Sequence, residues 1–345
     1  MNILVDAYLD RNLGDDLMLK AVALAFPEHS FLLEAADRAL LIPFEGIANL
    51  APYSGQEFEA LLTVGGSIFE LGSTKSIINR YQTTVKTHRH YAKQGKRLAT
   101  IGCNVGAVNR RLTGMVIKAQ LRHSGRITVR DAYSLKALQA MGLECTCYPD
   151  LLFGCALPRT PAEKRQGLAI SVYRSTRDRQ LNYTCYKKYA EIADEYISAA
   201  GEAVTMLAFD CENENDIAAA YTIKSMMKLK DMCKIVVHTG SEEPVLRAIS
   251  ASRAIVGTRF HSIIFGLLAG VPILPVCYAN KSINLLDELG YGLRLGFAEL
   301  ASLNAGETAK AIIKGEGLLT LTENKLEELR SGSKGHIEAL KAYLS

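Results

Sequence analysis

The 345-residue sequence has almost no excess of charge: 40 Lys and Arg against 36 Asp and Glu leave a formal +4. That is too little to point to a nucleic-acid partner. Long apolar runs are missing too. The longest, from Ile263 to Tyr278, is broken by Gly266, Gly270, Pro272 and Pro275 and falls short of the ~18 apolar residues a membrane span needs. The start, Met1-Asn-Ile-Leu-Val-Asp6, lacks the basic and apolar regions of a signal peptide and reads as a strand. None of the 8 cysteines belongs to a Cys-x-x-Cys pair. The nearest two, Cys145 and Cys147, occupy alternate strand positions and suit neither a disulfide nor a tetrahedral zinc site. Free thiols in a reducing cytoplasm follow as the expectation. There is no Gly-x-Gly-x-x-Gly dinucleotide loop, Walker loop, Gly-x-Ser-x-Gly elbow or His-Glu-x-x-His, so those chemistries find no support.

What the chain does have is a βα rhythm. Short β-rich runs at 2–7, 31–34, 61–65, 97–102, 126–130 and 144–149 alternate with helical patterns at 15–26, 76–93, 110–123 and 132–141. A polar stretch with two prolines, 156–167, interrupts the rhythm and marks a domain boundary. Strand patterns resume at 168–173, 203–209, 234–238, 254–257 and 273–276, with helical patterns at 186–200, 216–228, 244–251, 261–268 and 282–289. This α/β pattern predicts two Rossmann-like domains, 1–160 and 167–310, whose parallel sheets face a cleft. A helical segment at 311–345 is expected to brace one domain against the other.

Several loops then fall where ligands bind such sheets, after the strands' carboxyl ends. Asp10-Arg-Asn-Leu-Gly-Asp-Asp16 follows the first strand. It reads either as a helix cap with acidic residues complementing the dipole, or as a ligand loop in which Asn12 and Asp15 bond sugar hydroxyls. Gly65-Gly-Ser67 follows an apolar strand and lets a ligand approach the backbone closely. The most distinctive segment is Val256-Gly-Thr-Arg-Phe-His261, where Arg259 and His261 stand between a strand and a helix, a natural anion site. Lys281 follows the next strand and is placed to reach the same anion. Arg174, Arg177 and Arg179 crowd the second domain's first loop. His88 and His90, two apart on a helix, point to different faces and read as surface residues. Asp131 and Asp150 suit either helix caps or the orienting of partners across the cleft.

Taken in order, these loops resemble the polysaccharide pyruvyl transferase family. The matching pieces are Asn12-Leu-Gly-Asp-Asp16, Val64-Gly-Gly66, Val129-Arg-Asp-Ala-Tyr-Ser134, Tyr148-Pro-Asp150, Ile170-Ser-Val-Tyr-Arg174, Gly257-Thr-Arg-Phe-His261, Gly270-Val-Pro272 and Tyr278-Ala-Asn-Lys281. The chain departs in having serine at 67, where the family often has a third glycine, and phenylalanine at 260 in place of leucine. The resemblance implies a two-domain glycosyltransferase-B-like fold and transfer of pyruvate from phosphoenolpyruvate to two hydroxyls of a sugar, as a cyclic ketal. It implies Arg174, Arg259, His261 and Lys281 as donor-site residues, and Asn12, Gly14, Gly65 and Gly66 as acceptor-site residues. His261 is the expected general acid, with Asp15 a candidate base. The partners are then phosphoenolpyruvate and a saccharide, whether free, nucleotide-linked or lipid-linked at the inner membrane face. No metal, no cofactor beyond the co-substrate and no nucleic acid is called for, and nothing here sets the oligomeric state. The competing reading is a nucleotide-sugar-dependent glycosyltransferase of the same fold. Many retaining enzymes of that class carry two glutamates eight apart in the donor site, and no glutamate lies between Glu243 and Glu288.

Overall fold

A computed structural model describes residues 1–35, 37–66, 69, 73–105, 111–176, 178–212 and 214–345. Ser67 and Arg177, singled out above, lie outside the described residues. The chain divides into two compact units. Unit 1 comprises Met1–Leu9, Asp15–Cys155 and Glu327–Ser345, and unit 2 comprises Asp10–Gly14 and Ala156–Leu326. This division differs from 1–160, 167–310 and 311–345 in two places. Residues 10–14, expected on the acceptor side, join unit 2, and the C-terminal stretch is split at 326 between the units.

Unit 1 holds β1 (Asn2–Ala7), β2 (Ser30–Leu33), β3 (Leu50–Pro52), β4 (Ala60–Val64), β5 (Arg97–Cys103), β6 (Arg126–Val129) and β7 (Thr146–Cys147). They form one sheet in the order β3-β2-β1-β4-β5-β6-β7. Unit 2 holds β8 (Leu168–Ser171), β9 (Val204–Ala208), β10 (Cys233–Val237), β11 (Ala254–Gly257), β12 (Ile273–Cys277) and β13 (Leu295–Gly296), ordered β10-β9-β8-β11-β12-β13. All pairings are parallel. β3 and β13 were not expected from the sequence. At 3 and 2 residues, they are too short to carry a hydrophobic pattern, and Pro52 is tolerated because β3 is an edge.

The strand order reverses direction once in each sheet, between β1 and β4 and between β8 and β11. At such a switch point the flanking loops diverge to opposite faces and leave a crevice at the strands' carboxyl ends. The central strands are buried on both faces, as β4, β8, β11 and β12 show along their whole length, which is why they read as continuous apolar runs. Helix Phe260–Ala269 is buried at every position. It lies so close to the sheet that a Cβ on Gly266 would come within 2.7 Å of Ile273. Tyr189 and Tyr196, both fully buried on helix Arg179–Ala200, fill the core over β8 and β9. No helix among the described residues is long and apolar enough to cross a membrane.

One helix departs from its expected character. The 76–93 pattern becomes Thr74–Arg80, a π-helical turn Tyr81–Val85, and Lys86–Lys93. His90 is exposed as expected. His88 is instead buried, 2% exposed, with Nε2 3.4 Å from Asp6 Oδ2. Surface periodicity failed here because the π turn changes which residues face the sheet.

Candidate functional site

In unit 2 the loops after β8, β11 and β12 converge. Gly257 is paired with Ser171 on one side and Pro275 on the other, so Arg174, Arg259, His261 and Lys281 all leave adjoining strand ends. The backbone N–H of Arg259 donates to Ser171 Oγ at 3.2 Å, and Thr258 is tied to the buried Tyr189 hydroxyl. Aromatic rings connect the cations. The Arg259 guanidinium lies 5.0 Å from the centre of the Tyr173 ring, Tyr173 stacks on Tyr278 at 4.1 Å, and Lys281 Nζ is 5.1 Å from Tyr278. The His261 imidazole packs between Phe260 and Phe265 and is 8% exposed.

Arg259 is not the open guanidinium that its loop position suggested. It is 4% exposed, its Nε donates to Asp216 Oδ2 at 2.8 Å, Nη2 donates to Asp216 Oδ1, and Nη1 pairs with Glu214. Burial alone would lower its pKa, but the charges of Asp216 and Glu214 outweigh burial and hold the group firmly cationic. Asp216 is fully buried and also accepts from the backbone N–H groups of Phe209 and Asp210, each at 3.1 Å. Arg259 therefore anchors the loop after β9, while Arg174, partly exposed, makes no ion pair with a described residue.

The loop 10–14 belongs to this site. Leu13 N–H donates to Phe209 O at 3.1 Å, Arg11 pairs with Glu212, and Asn12 Nδ2 donates to Asp210 Oδ2 at 3.4 Å. Asn12 Oδ1 in turn accepts from Gly14 N–H at 3.2 Å. Both ends of the Asn12 amide are thus engaged by the protein, each by one hydrogen bond. Gly14, expected beside the acceptor, lies against His261, where a Cβ would fall on the imidazole. Its role is to leave room for that ring.

Tyr186 was missed by the sequence reading. It sits two turns into the long amphipathic helix Arg179–Ala200, where nothing separates it from a core aromatic. Its hydroxyl is buried without a hydrogen-bond partner among the described residues. Burial pushes its pKa up to about 12, against the charges of Arg174 and Arg259 nearby, so it stays a donor at neutral pH.

In unit 1 the switch-point loops are joined by Asp15, whose Oδ1 accepts from Gly66 N–H at 3.2 Å. Gly65 adopts φ +128°, a conformation that favours glycine. A Cβ on Gly66 would come 3.2 Å from the Arg130 guanidinium, so this glycine makes way for a side chain. Arg130 is itself neutralised, donating to Asp150 at 2.8 Å and to Asn104 at 3.1 Å. Asp131 and Asp150 cap helical turns, accepting from Ser134 N–H and Leu152 N–H.

A family model for polysaccharide pyruvyl transferases matches residues 12–280. Among solved structures, the chain is similar to UDP-GlcNAc 2-epimerase from Methanocaldococcus jannaschii (TM-score 0.60, 10% identity, 99% of each chain covered). It is similar to the Neisseria meningitidis enzyme of the same name (TM-score 0.55, 12% identity, 99% of this chain and 100% of that one). The calicheamicin glycosyltransferase CalG4 also matches (TM-score 0.52, 12% identity, 99% and 98% covered). These structural similarities show a shared glycosyltransferase-B-type fold of two parallel-sheet α/β domains. No curated protein matches the sequence.

Proposed function

Because the chain belongs to the polysaccharide pyruvyl transferase family, we propose that it transfers pyruvate from phosphoenolpyruvate to two hydroxyls of a saccharide, forming a cyclic ketal. The observation that carries this reading is the convergence of Arg174, His261, Lys281 and the orphaned Tyr186 hydroxyl at the β8/β11 switch point. The donor brings a phosphate and a carboxylate, and this corner offers two cations, a phenolic donor and the N-terminus of helix Phe260–Ala269. Arg259 enters through its pair with Asp216, which stays buried. Glu214, with 28% of its side chain exposed, is the partner a donor anion would displace.

His261, as imidazolium, gives its proton to the donor's methylene carbon, which becomes the ketal methyl. The adjoining carbon turns electron-poor and the first sugar hydroxyl adds to it. Departure of phosphate, with its C–O bond pair, lets the second hydroxyl close the ring. Of the two hydroxyl protons released, one restores His261 and the other leaves with phosphate or solvent. Asp15 is retained as a candidate acceptor of such a proton, and Gly65 and Gly66 as the backbone beside the sugar. The phosphate's charge is met by side-chain cations, so turnover should persist in a chelator. Localisation at the inner membrane face would follow from a lipid-linked acceptor.

The test is thermal-shift titration with phosphoenolpyruvate and with UDP-sugars, followed by NMR of the product formed in heavy water. Selective stabilisation by phosphoenolpyruvate and one deuterium in each ketal methyl support the reading. Stabilisation by a UDP-sugar alone, with no ketal formed when phosphoenolpyruvate is added, overturns it in favour of glycosyl transfer.

A further inference from the structure

A second polar cluster lies in unit 1, and the site described above uses none of it. Asp6 near the end of β1 is paired in register with Thr63 on β4. Its Oδ2 accepts from Thr63 Oγ1 at 3.3 Å and meets His88 Nε2 at 3.4 Å, while a third of the carboxyl side chain stays exposed. Burial pushes this carboxyl up, but the His88 hydrogen bond and the nearby Arg80 charge outweigh it and hold it below the ordinary carboxylate range. Nε2 of His88 therefore carries the hydrogen and donates to an ionised Asp6.

Three buried polar atoms of this cluster have no hydrogen-bond partner among the described residues: His88 Nδ1, Gln120 Nε2 and Arg80 Nη2. His88 is 2% exposed and Gln120 is fully buried. Arg80 Nε donates to Gln120 Oε1 at 2.9 Å, and its guanidinium sits 5.3 Å from the centre of the Phe69 ring. Buried polar groups are nearly always satisfied, and leaving one unmet is costly. Three in one cluster point to groups supplied from outside the chain.

The helix is built to bring Arg80 and His88 together. Eight residues along an uninterrupted α-helix would leave them roughly 80° out of line. The π turn Tyr81–Val85 between them accommodates one extra residue, leaving the equivalent of seven α-helical steps, about 20° from alignment. π turns of this kind recur at functional sites.

The chemistry selects a class of ligand. Unmet N–H groups on Arg80 and Gln120 require acceptors, whereas the open Asp6 carboxylate requires a donor. The carboxylate also offsets the Arg80 charge and repels anions. A hydroxyl both donates and accepts, so a neutral molecule with several adjacent hydroxyls meets all of these demands. We propose that Asp6, Arg80, His88 and Gln120 form a saccharide-binding subsite of unit 1. It rests on the proposed function only in that a sugar is the acceptor there.

The test is saturation-transfer NMR on the full chain with methyl glycosides of glucose, galactose, mannose, N-acetylglucosamine and N-acetylmannosamine, with phosphoenolpyruvate thermal shifts in parallel. At least one glycoside should bind, and Asp6→Asn and Arg80→Met should each weaken it about tenfold or more with the phosphoenolpyruvate shift unchanged. Gln120→Met, which keeps the volume, provides a further arm if either variant fails to fold by circular dichroism. Failure of every glycoside to bind, or equal binding by the folded variants, overturns the subsite. So does binding of inorganic phosphate that Arg80→Met abolishes. Sugar binding without a phosphoenolpyruvate shift supports the subsite and overturns the proposed donor.

Discussion

At the β1/β4 switch point of unit 1, charges are balanced. Arg130 is held by Asp150, with both side chains 2% exposed, and Asp6 faces His88 and Arg80. At the β8/β11 switch point of unit 2, an arginine one position further past its strand is held in the same way by Asp216, yet Arg174 and Lys281 remain beside it. The two sheets thus share one topological device and one structural ion pair, and they differ in the further cations gathered there. Topology decides where a ligand sits, whereas the side chains gathered there decide which ligand it is. Balanced polarity suits hydroxyls, and clustered cations suit phosphate.

The comparison can be broken most sharply at His261. His261→Gln keeps a hydrogen-bond donor but cannot act as an acid, so turnover should fall ~10²–10⁴-fold while phosphoenolpyruvate binding persists. Near-normal turnover in single-turnover kinetics would remove His261 from the acid role. Next in size are the buried ion pairs. Asp216→Asn and Asp150→Asn should each cost about 3–5 kcal/mol in urea unfolding, but only Asp216→Asn should also weaken phosphoenolpyruvate binding. If both variants do so, the division of roles between the units is wrong.

A pH effect separates the units at a slightly smaller scale. In unit 1, His336 is fully buried between Thr128 and Pro149 O, and burial pushes its pKa down to about 4 from 6.5. The unfolded chain takes up this proton first. Stability from His336 is therefore fully present above pH 6.5 and is lost as pH falls toward 4, by about 3 kcal/mol in all. Hydrogen exchange should show β5 and β6 losing protection across that window before β8 and β11, and His336→Phe should flatten the dependence. Equal loss in both units would point to another group.

Gly14→Ala tests the contact at residue 14. The added methyl collides with the His261 imidazole; displacing the proposed acid costs about 10²-fold in rate, and the overpacking costs about 1–3 kcal/mol in unfolding. Unchanged kinetics would show that the ring can move aside at no cost. The smallest expected effect is at Arg174. Arg174→Ala should weaken phosphoenolpyruvate binding about tenfold, one charge-assisted hydrogen bond. Arg174→Lys should restore part of it, lacking the guanidinium fork. Calorimetric titration that finds no change would move the donor away from this loop.

Much of the fold was legible because burial on both faces writes parallel strands as apolar runs, and β1, β4, β8, β11 and β12 stand close to where the pattern put them. The loops that end them were legible for the same reason, so the places of Arg174, Arg259, His261 and Lys281 just past strand ends were legible without coordinates. Hydrophobic pattern and turn chemistry are local, and they determined strand order of appearance, helix caps such as Asp131, and the strand-to-helix position of Arg259. What those loops face is not local. Only the tertiary structure decided that Asp216, forty-three residues upstream, neutralises Arg259, that Gly14 makes room for His261, and that residues 10–14 join unit 2. It also turned His88 inward to Asp6 through a π turn that helical periodicity does not encode. Charge compensation and steric clearance depend on atoms brought together from distant parts of the chain, and their pairing exists only once the sheets have formed.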